Sequence, residues 1–271
     1  MASSLYRILF ALTFSIVSAF LPQSAIAQTS NSKIGIVLMH GKGGSPMRHI
    51  SDLVSPLEGQ GYLVENLEMP WSGGRNYDVT VSAAEAEVEA VLSSLRSKGA
   101  QKVFVAGHSQ GGLFALYFGT RHAVDGVIAI APGGSVGSSL FREKLGESVE
   151  QARRFIAEGK GGEKARLFDF EGAKGTYPVI APPAAYLTWF DPQGAMNQLE
   201  AVQGMNPSTP VLFIVPTNDY PALLKIKQQM FEALPKNPRT RLYEPNSSHL
   251  GSPSASVKEI IDWTSAIANM R

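Results

Sequence analysis

The chain contains no cysteine. That absence excludes thiol catalysis and thiolate metal sites. It is compatible with an oxidising compartment, because 271 residues can bury a core that needs no disulfides. A charge imbalance is lacking too: 24 Lys and Arg stand against 23 Asp and Glu, so neither a nucleic-acid stripe nor a pull toward anionic membranes is expected. The five histidines, His40, His49, His108, His122 and His249, show no i, i+4 pairing and no H-E-x-x-H spacing. No metal and no cofactor is therefore expected. Internal repeats and low-complexity tracts are missing, and 44% hydrophobic against 17% charged residues excludes a disordered chain.

What is present begins with a leader. Arg7 is the only charge in the first 27 residues, residues 8–21 (ILFALTFSIVSAFL) are nearly all apolar, and Ala25-Ile26-Ala27 places small residues where a signal peptidase reads. Cleavage is expected before Gln28, leaving 28–271 as a periplasmic or secreted domain with 23 charges of each sign. A retained anchor is the alternative, but the run falls short of the roughly 20 residues that cross a bilayer. No membrane span is expected after cleavage.

From residue 33 onward, apolar strand-like runs alternate with helical patterns, the signature of a mostly parallel sheet with helices on both faces. The predicted strands are 33–39, 62–67, 102–107, 126–131, 210–215 and, read loosely, 239–244. Their continuous apolar character suits strands buried on both faces. A helix is predicted over 82–98, with a capping box of Ser82 and Glu85, an apolar face of Val88, Val91, Leu92 and Leu95, and Gly99 past its end. Another is predicted over 253–270. The alternation breaks once, over about 135–207, where a charged helical segment, a glycine-rich break and a proline and aromatic stretch intervene. So long an interval is expected to be a cap inserted over the end of the sheet, where α/β proteins bind ligands.

Two stretches match G-x-S-x-G: residues 107–111 and 133–137. The pattern is weak alone, and context chooses. A nucleophilic serine of this type needs a strand running straight into a tight turn and a helix starting at once, with small neighbours to tolerate the strained backbone. Ser109 meets this in VFVAGHSQGGLFALYFG. Ser135 is separated from its strand by Pro132 and Gly133 and is followed by polar residues.

Here the sequence resembles the α/β-hydrolase family over nearly the whole mature chain. His40-Gly41-Lys42-Gly43-Gly44 after the first strand looks like the family's H-G-x oxyanion loop, and Gly107-His108-Ser109-Gln110-Gly111-Gly112 follows at the strand after next. The resemblance implies an α/β-hydrolase fold, Ser109 as nucleophile, and an oxyanion hole built from the backbone N–H groups of Lys42 and Gln110. The Lys42 side chain departs from the usual apolar residue or glycine. It is expected to point to solvent, or else to meet an anionic substrate group.

The family orders its triad Ser, acid, His. His249 is the only histidine after position 122 and is the expected base. Asp219, just after PVLFIV, is the expected acid. It could instead cap a helix, with Asp191 the main rival and Glu244 a distant one. His40 and His108 are expected to bond or pack locally, and His49 and His122 to lie on helix surfaces. Phe168, Phe170, Tyr177, Tyr186, Trp189 and Phe190 concentrate aromatic surface in the inserted segment. Tyr186 and Trp189, with Trp71 after the second strand, are candidates to line a substrate pocket, although local core is the commoner role. Arg75 could bind an anion, but a surface role is the safer expectation.

The reading that results is an exported serine hydrolase acting on a small-molecule ester or related acyl substrate. An amidase or peptidase with the same triad is the alternative, and a binding protein with an idle triad is the rival from another class.

Overall fold

The computed structural model describes residues 33–172 and 174–270. The expected leader, residues 1–27, lies outside the described residues. The six apolar runs form one sheet of β1 (Ile34–Met39), β2 (Leu63–Leu67), β3 (Lys102–His108), β4 (Gly126–Ile130), β7 (Val211–Ile214) and β8 (Arg241–Tyr243). They lie in the order β2-β1-β3-β4-β7-β8, and every pairing is parallel. The chain moves outward from β1 in one direction to β2, then returns past it to β3. That reversal opens a crevice at the C-terminal ends of β1 and β3, where α/β sheets take their ligands.

Both faces are covered. Val37, Met39, Val105, Ala129 and Phe213 point into one core with α2 (Val81–Ser97), α3 (Gln110–Arg121) and α7 (Pro221–Glu232). Ile36, Leu38, Phe104, Ile128 and Ile214 point into the other with α1 (Val54–Gly59) and α9 (Val257–Ala268). Each buried Val, Leu, Ile, Met or Phe contributes about 1.5–3 kcal/mol, so the central strands β1, β3, β4 and β7 are almost wholly apolar rather than alternating, while the edge strands β2 and β8 are half-buried or exposed.

Two local expectations are corrected. α2 begins a residue early: Thr80 is its N-cap, its side chain accepting from the N–H of Ala83 at 3.2 Å. With the cap there, Glu85 falls two positions beyond the place a capping box needs. It turns instead to Arg121 and His122, at 2.8 and 3.0 Å. The C-terminal helix is also divided at Ser256 into α8 (Ser252–Ala255) and α9, and the Ser256 hydroxyl donates back to the Ser252 carbonyl at 2.7 Å.

The interval between β4 and β7 holds α4 (Ser139–Ala157), an antiparallel hairpin of β5 (Ala165–Glu171) and β6 (Gly175–Ala181), α5 (Pro183–Phe190) and α6 (Gln198–Gln203). Leu145, Val149, Leu167, Val179, Tyr186 and Trp189 merge with the core of α2 and α3. Sequence reasoning misses the hairpin: Pro178 and the charges Asp169, Glu171 and Lys174 read as loop. A two-stranded ribbon tolerates proline on its free edge.

Candidate active site

The junction of β3 and α3 is built around glycines that could carry no side chain. A Cβ on Gly107 would lie 2.0 Å from the Gly111 carbonyl oxygen, and one on Gly111 would lie 2.3 Å from that of Met39. Helix and strands therefore approach backbone to backbone, and the turn between them is forced tight. Ser109 sits in that turn at φ 56°, a left-handed conformation uncommon for a residue with a Cβ. Its N–H donates to Ile130 O at 2.8 Å, and its carbonyl accepts from Leu113 and Gly133 at 3.1 and 3.2 Å. The half-buried side chain stands at the crevice. Gly111→Ala is expected to cost about 3 kcal/mol through overpacking, a fall in Tm on the order of 10 °C for a domain of this size. Scanning calorimetry reads it.

Ser135 has a different use. Its hydroxyl accepts the N–H of Gln198 at 3.0 Å, at the start of α6.

Asp219 and His249 are brought together by two loops that continue the pairing of β7 and β8. Beyond Ile214–Tyr243 the chains stay zipped, Thr217 N–H donating to Pro245 O at 2.9 Å and Asn218 N–H to Ser247 O at 3.0 Å. An isolated parallel bridge then joins Asn218 to Ser248. The next residue on each side is Asp219 and His249. His249 Nδ1–H donates to Asp219 Oδ1 at 2.6 Å, and both side chains are almost wholly buried. Asp219 Oδ1 also accepts the N–H of Tyr220 at 2.7 Å, while α7 has no side-chain cap. Among the described residues, Asp219 Oδ2 is buried without a partner, a cost of about 1–3 kcal/mol that folding alone does not require. Asp191 pairs with Arg153 and Glu244 with Lys227, so neither rival is bound to a histidine.

His249 is held from behind. Its carbonyl accepts from His108 Nε2 at 2.9 Å and from the Ser252 hydroxyl at 2.7 Å. Because a carbonyl only accepts, His108 must carry its proton on Nε2. Its ring centroid lies 4.9 Å from that of His249, so the late loop packs against the residue preceding Ser109, while Tyr220 covers His249 at 4.4 Å. Among the described residues, the Ser109 hydroxyl and His249 Nε2 make no hydrogen bond. Such bonds often close only with substrate bound. Sequence reasoning expected His108 to bond locally and overlooked its reach to residue 249. Its place inside the serine motif was the available signal.

Burial lowers the His108 pKa from the usual 6.5 to about 3, with His249 adding to the effect. Above pH 6.5 the ring is neutral folded or unfolded, and nothing is lost. As pH falls toward 3 the unfolded chain takes up a proton that the native ring refuses, so stability declines by up to about 5 kcal/mol. Urea unfolding at pH 7 and pH 4 is expected to show this decline, and His108→Gln to reduce it.

The loop after β1 flanks the serine. A Cβ on Gly41 would lie 3.2 Å from that of Ser109, so the glycine lets the loop approach without displacing a neighbour. Among the described residues the N–H groups of Lys42 and Gln110 have no acceptor. His40 anchors the loop: its Nε2 accepts from Met69 N–H at 3.0 Å and its carbonyl accepts from the Trp71 indole at 2.8 Å. Burial lowers its pKa, consistent with a neutral ring.

The Lys42 side chain takes neither expected course. It turns inward and pairs with Asp169 at 2.6 Å. The proposed pocket aromatics are likewise core. Trp71 packs edge-on against Phe114 and Trp189 at 5.4 and 5.6 Å. The Trp189 indole donates to Val79 O at 2.8 Å, and the Tyr186 hydroxyl to Phe168 O at 2.6 Å. Each is at most 2% exposed, because its polar atom finds a backbone partner inside. Phe190 instead lines a cavity of about 170 Å³ with Phe141, Leu145 and Val149. Arg75 is bound to Glu87 and Asp78.

A sequence model for a family described as "Alpha/beta hydrolase family" matches residues 36–262. A search of curated proteins gives no match. Among solved structures, the chain is similar to a monoacylglycerol lipase of Paleococcus ferrophilus, at 19% identity over 86% of this chain and 94% of that one, with a TM-score of 0.60. It is similar to Est1E from Butyrivibrio proteoclasticus with ferulic acid bound, at 17% identity over 88% and 92%, TM-score 0.57. It is also similar to the alpha/beta hydrolase GrgF from Penicillium sp. sh18, at 14% identity over 88% and 90%, TM-score 0.65. At such identities the likeness is one of fold.

Proposed function

The chain belongs to the alpha/beta hydrolase family, and from that premise we propose that it is a serine hydrolase cleaving a carboxylic ester of a small molecule through an acyl-enzyme on Ser109. The observation that carries the reading is the buried His249–Asp219 pair held against His108, the residue before a serine kept in a strained left-handed turn. As Ser109 Oγ attacks the acyl carbonyl, His249 Nε2 takes its proton and Asp219 stabilises the imidazolium. The carbonyl oxygen becomes an oxyanion that accepts from the N–H groups of Lys42 and Gln110. Collapse expels the alcohol, which receives the proton from His249. Water, deprotonated by the same nitrogen, then attacks the acyl-enzyme and releases the acid.

Esters are favoured over amides by the neighbouring folds, which include a monoacylglycerol lipase and an enzyme holding ferulic acid. The segment between β4 and β7 is the proposed cap, since the tip of its hairpin brings Lys174 Nζ within 3.7 Å of a Cβ built on Gly43. p-Nitrophenyl esters of graded chain length, run beside peptide anilides, test the reading: ester turnover with inert anilides supports it, and the reverse sinks it. Export is part of the proposal. Mass spectrometry of protein from the periplasm or medium should find a mature N-terminus at Gln28, whereas a retained leader points to an anchor. Among the described residues, no helix is long and apolar enough to cross a membrane.

A further inference from the structure

Asp169 lies in β5 of the inserted hairpin, wholly buried. Four donors converge on it. Lys42 Nζ and the N–H of Phe170 reach Oδ1, both at 2.6 Å; the hydroxyls of Tyr77 and Tyr177 reach Oδ2 at 2.7 and 3.0 Å. Lys42 Nζ also donates to Phe170 O at 3.1 Å. The Tyr77 hydroxyl accepts in turn from Gln110 Nε2 at 3.4 Å. Burial, with the carboxylate alongside, raises the pKa of both phenols, so each keeps its proton and donates.

The two residues whose N–H groups form the proposed oxyanion hole are thus both tethered, by their side chains, to one carboxylate. Lys42 comes from the loop after β1, Gln110 from the first turn of α3, and Asp169 from a segment far along the chain. A buried ion pair is a poor source of net stability, because desolvating two charges offsets much of their attraction and an apolar pair of similar volume often serves as well. What such a pair does supply is direction. Holding Nζ at one end of Lys42 restricts the backbone at the other, where the N–H must point at the reacting oxygen to within a fraction of an ångström.

We propose that Asp169 is a positioning residue for the oxyanion hole, orienting Lys42 directly and Gln110 through Tyr77, so that the inserted hairpin must be seated for the site to work. This rests on the serine hydrolase reading above. It also gives Lys42 a reason to be lysine: the side chain is the tether, and the backbone does the chemistry.

The test uses the full mature protein, with active sites counted by fluorophosphonate labelling and kinetics on the p-nitrophenyl ester turned over fastest in the panel. Asp169→Asn is expected to lower kcat per labelled site by about 10- to 100-fold, less than the loss of a whole oxyanion donor, with KM within about threefold. Affinity for a trifluoromethyl ketone of the same acyl chain should fall by the same factor as kcat/KM. Tyr77→Phe should show a smaller loss of the same kind. If Asp169→Asn does not fold, Lys42→Met with Asp169→Asn removes both charges and keeps a side-chain oxygen at 169 to accept from the tyrosine hydroxyls. That double variant should fold and lose kcat as the single does. Variants that are less stable but keep wild-type kcat per labelled site, or a double variant that restores it, overturn the role of Asp169 alone. A wild type that neither labels nor turns over any ester overturns the hydrolase reading, and this role with it.

Discussion

Ser109→Ala is expected to abolish fluorophosphonate labelling and to lower kcat on the best ester by about a millionfold, the loss seen when a serine nucleophile acting within a triad is removed. The fold should survive. Serine and alanine both carry a Cβ, so the strained φ of 56° costs about the same in each, and the neighbouring hydrogen bonds to Ile130, Leu113 and Gly133 use backbone atoms alone. Ser135→Ala is the matched control, since its hydroxyl only accepts the N–H of Gln198; it should label and turn over as wild type. Labelling that persists in Ser109→Ala and disappears in Ser135→Ala would transfer the role to the second motif.

For Asp219→Asn a loss in kcat of about 10⁴ is expected, with little change in Tm. Asp219 Oδ1 accepts from His249 Nδ1 at 2.6 Å, which keeps Nε2 free to take the serine proton. An amide placed there can present N–H to Nδ1 instead, favouring the tautomer whose Nε2 is already protonated. The imidazolium of the transition state also loses the negative charge facing it. Full activity in this variant would remove Asp219 from the mechanism. Asp191, the rival acid of the sequence, is already paired with Arg153 and would have to move to replace it.

The sheet was legible because its signal is local and repeated. Four runs of apolar residues, buried on both faces in β1, β3, β4 and β7, read as strands wherever they stand, while the half-buried edge strands β2 and β8 give a weaker signal. The glycine spacing around Ser109 reports a backbone constraint that few other residues satisfy. The errors share a cause. Ser82 and Glu85 have the spacing of a capping box, but Thr80 caps the helix and Glu85 is drawn to cations on α3. Trp71, Tyr186 and Trp189 are aromatic and near the catalytic end of the sheet, yet each finds a backbone partner in the core. Apart from the Thr80 cap, which is local, each outcome depends on a partner from elsewhere in the chain.

The positions of the strands along the chain, the tight turn at Ser109 and the identities of its prospective partners are written in the one-dimensional pattern, since periodicity, glycine placement and motif order act over neighbouring residues. Which way Lys42 turns, that His108 braces residue 249, and that one carboxylate at position 169 gathers Lys42, Tyr77 and Tyr177 were decided only by the folded chain. Apart from Tyr177, eight positions from Asp169, each joins residues scores of positions apart, and the charge that Lys42 would otherwise have kept in water is satisfied inside only because the hairpin brings Asp169 to it.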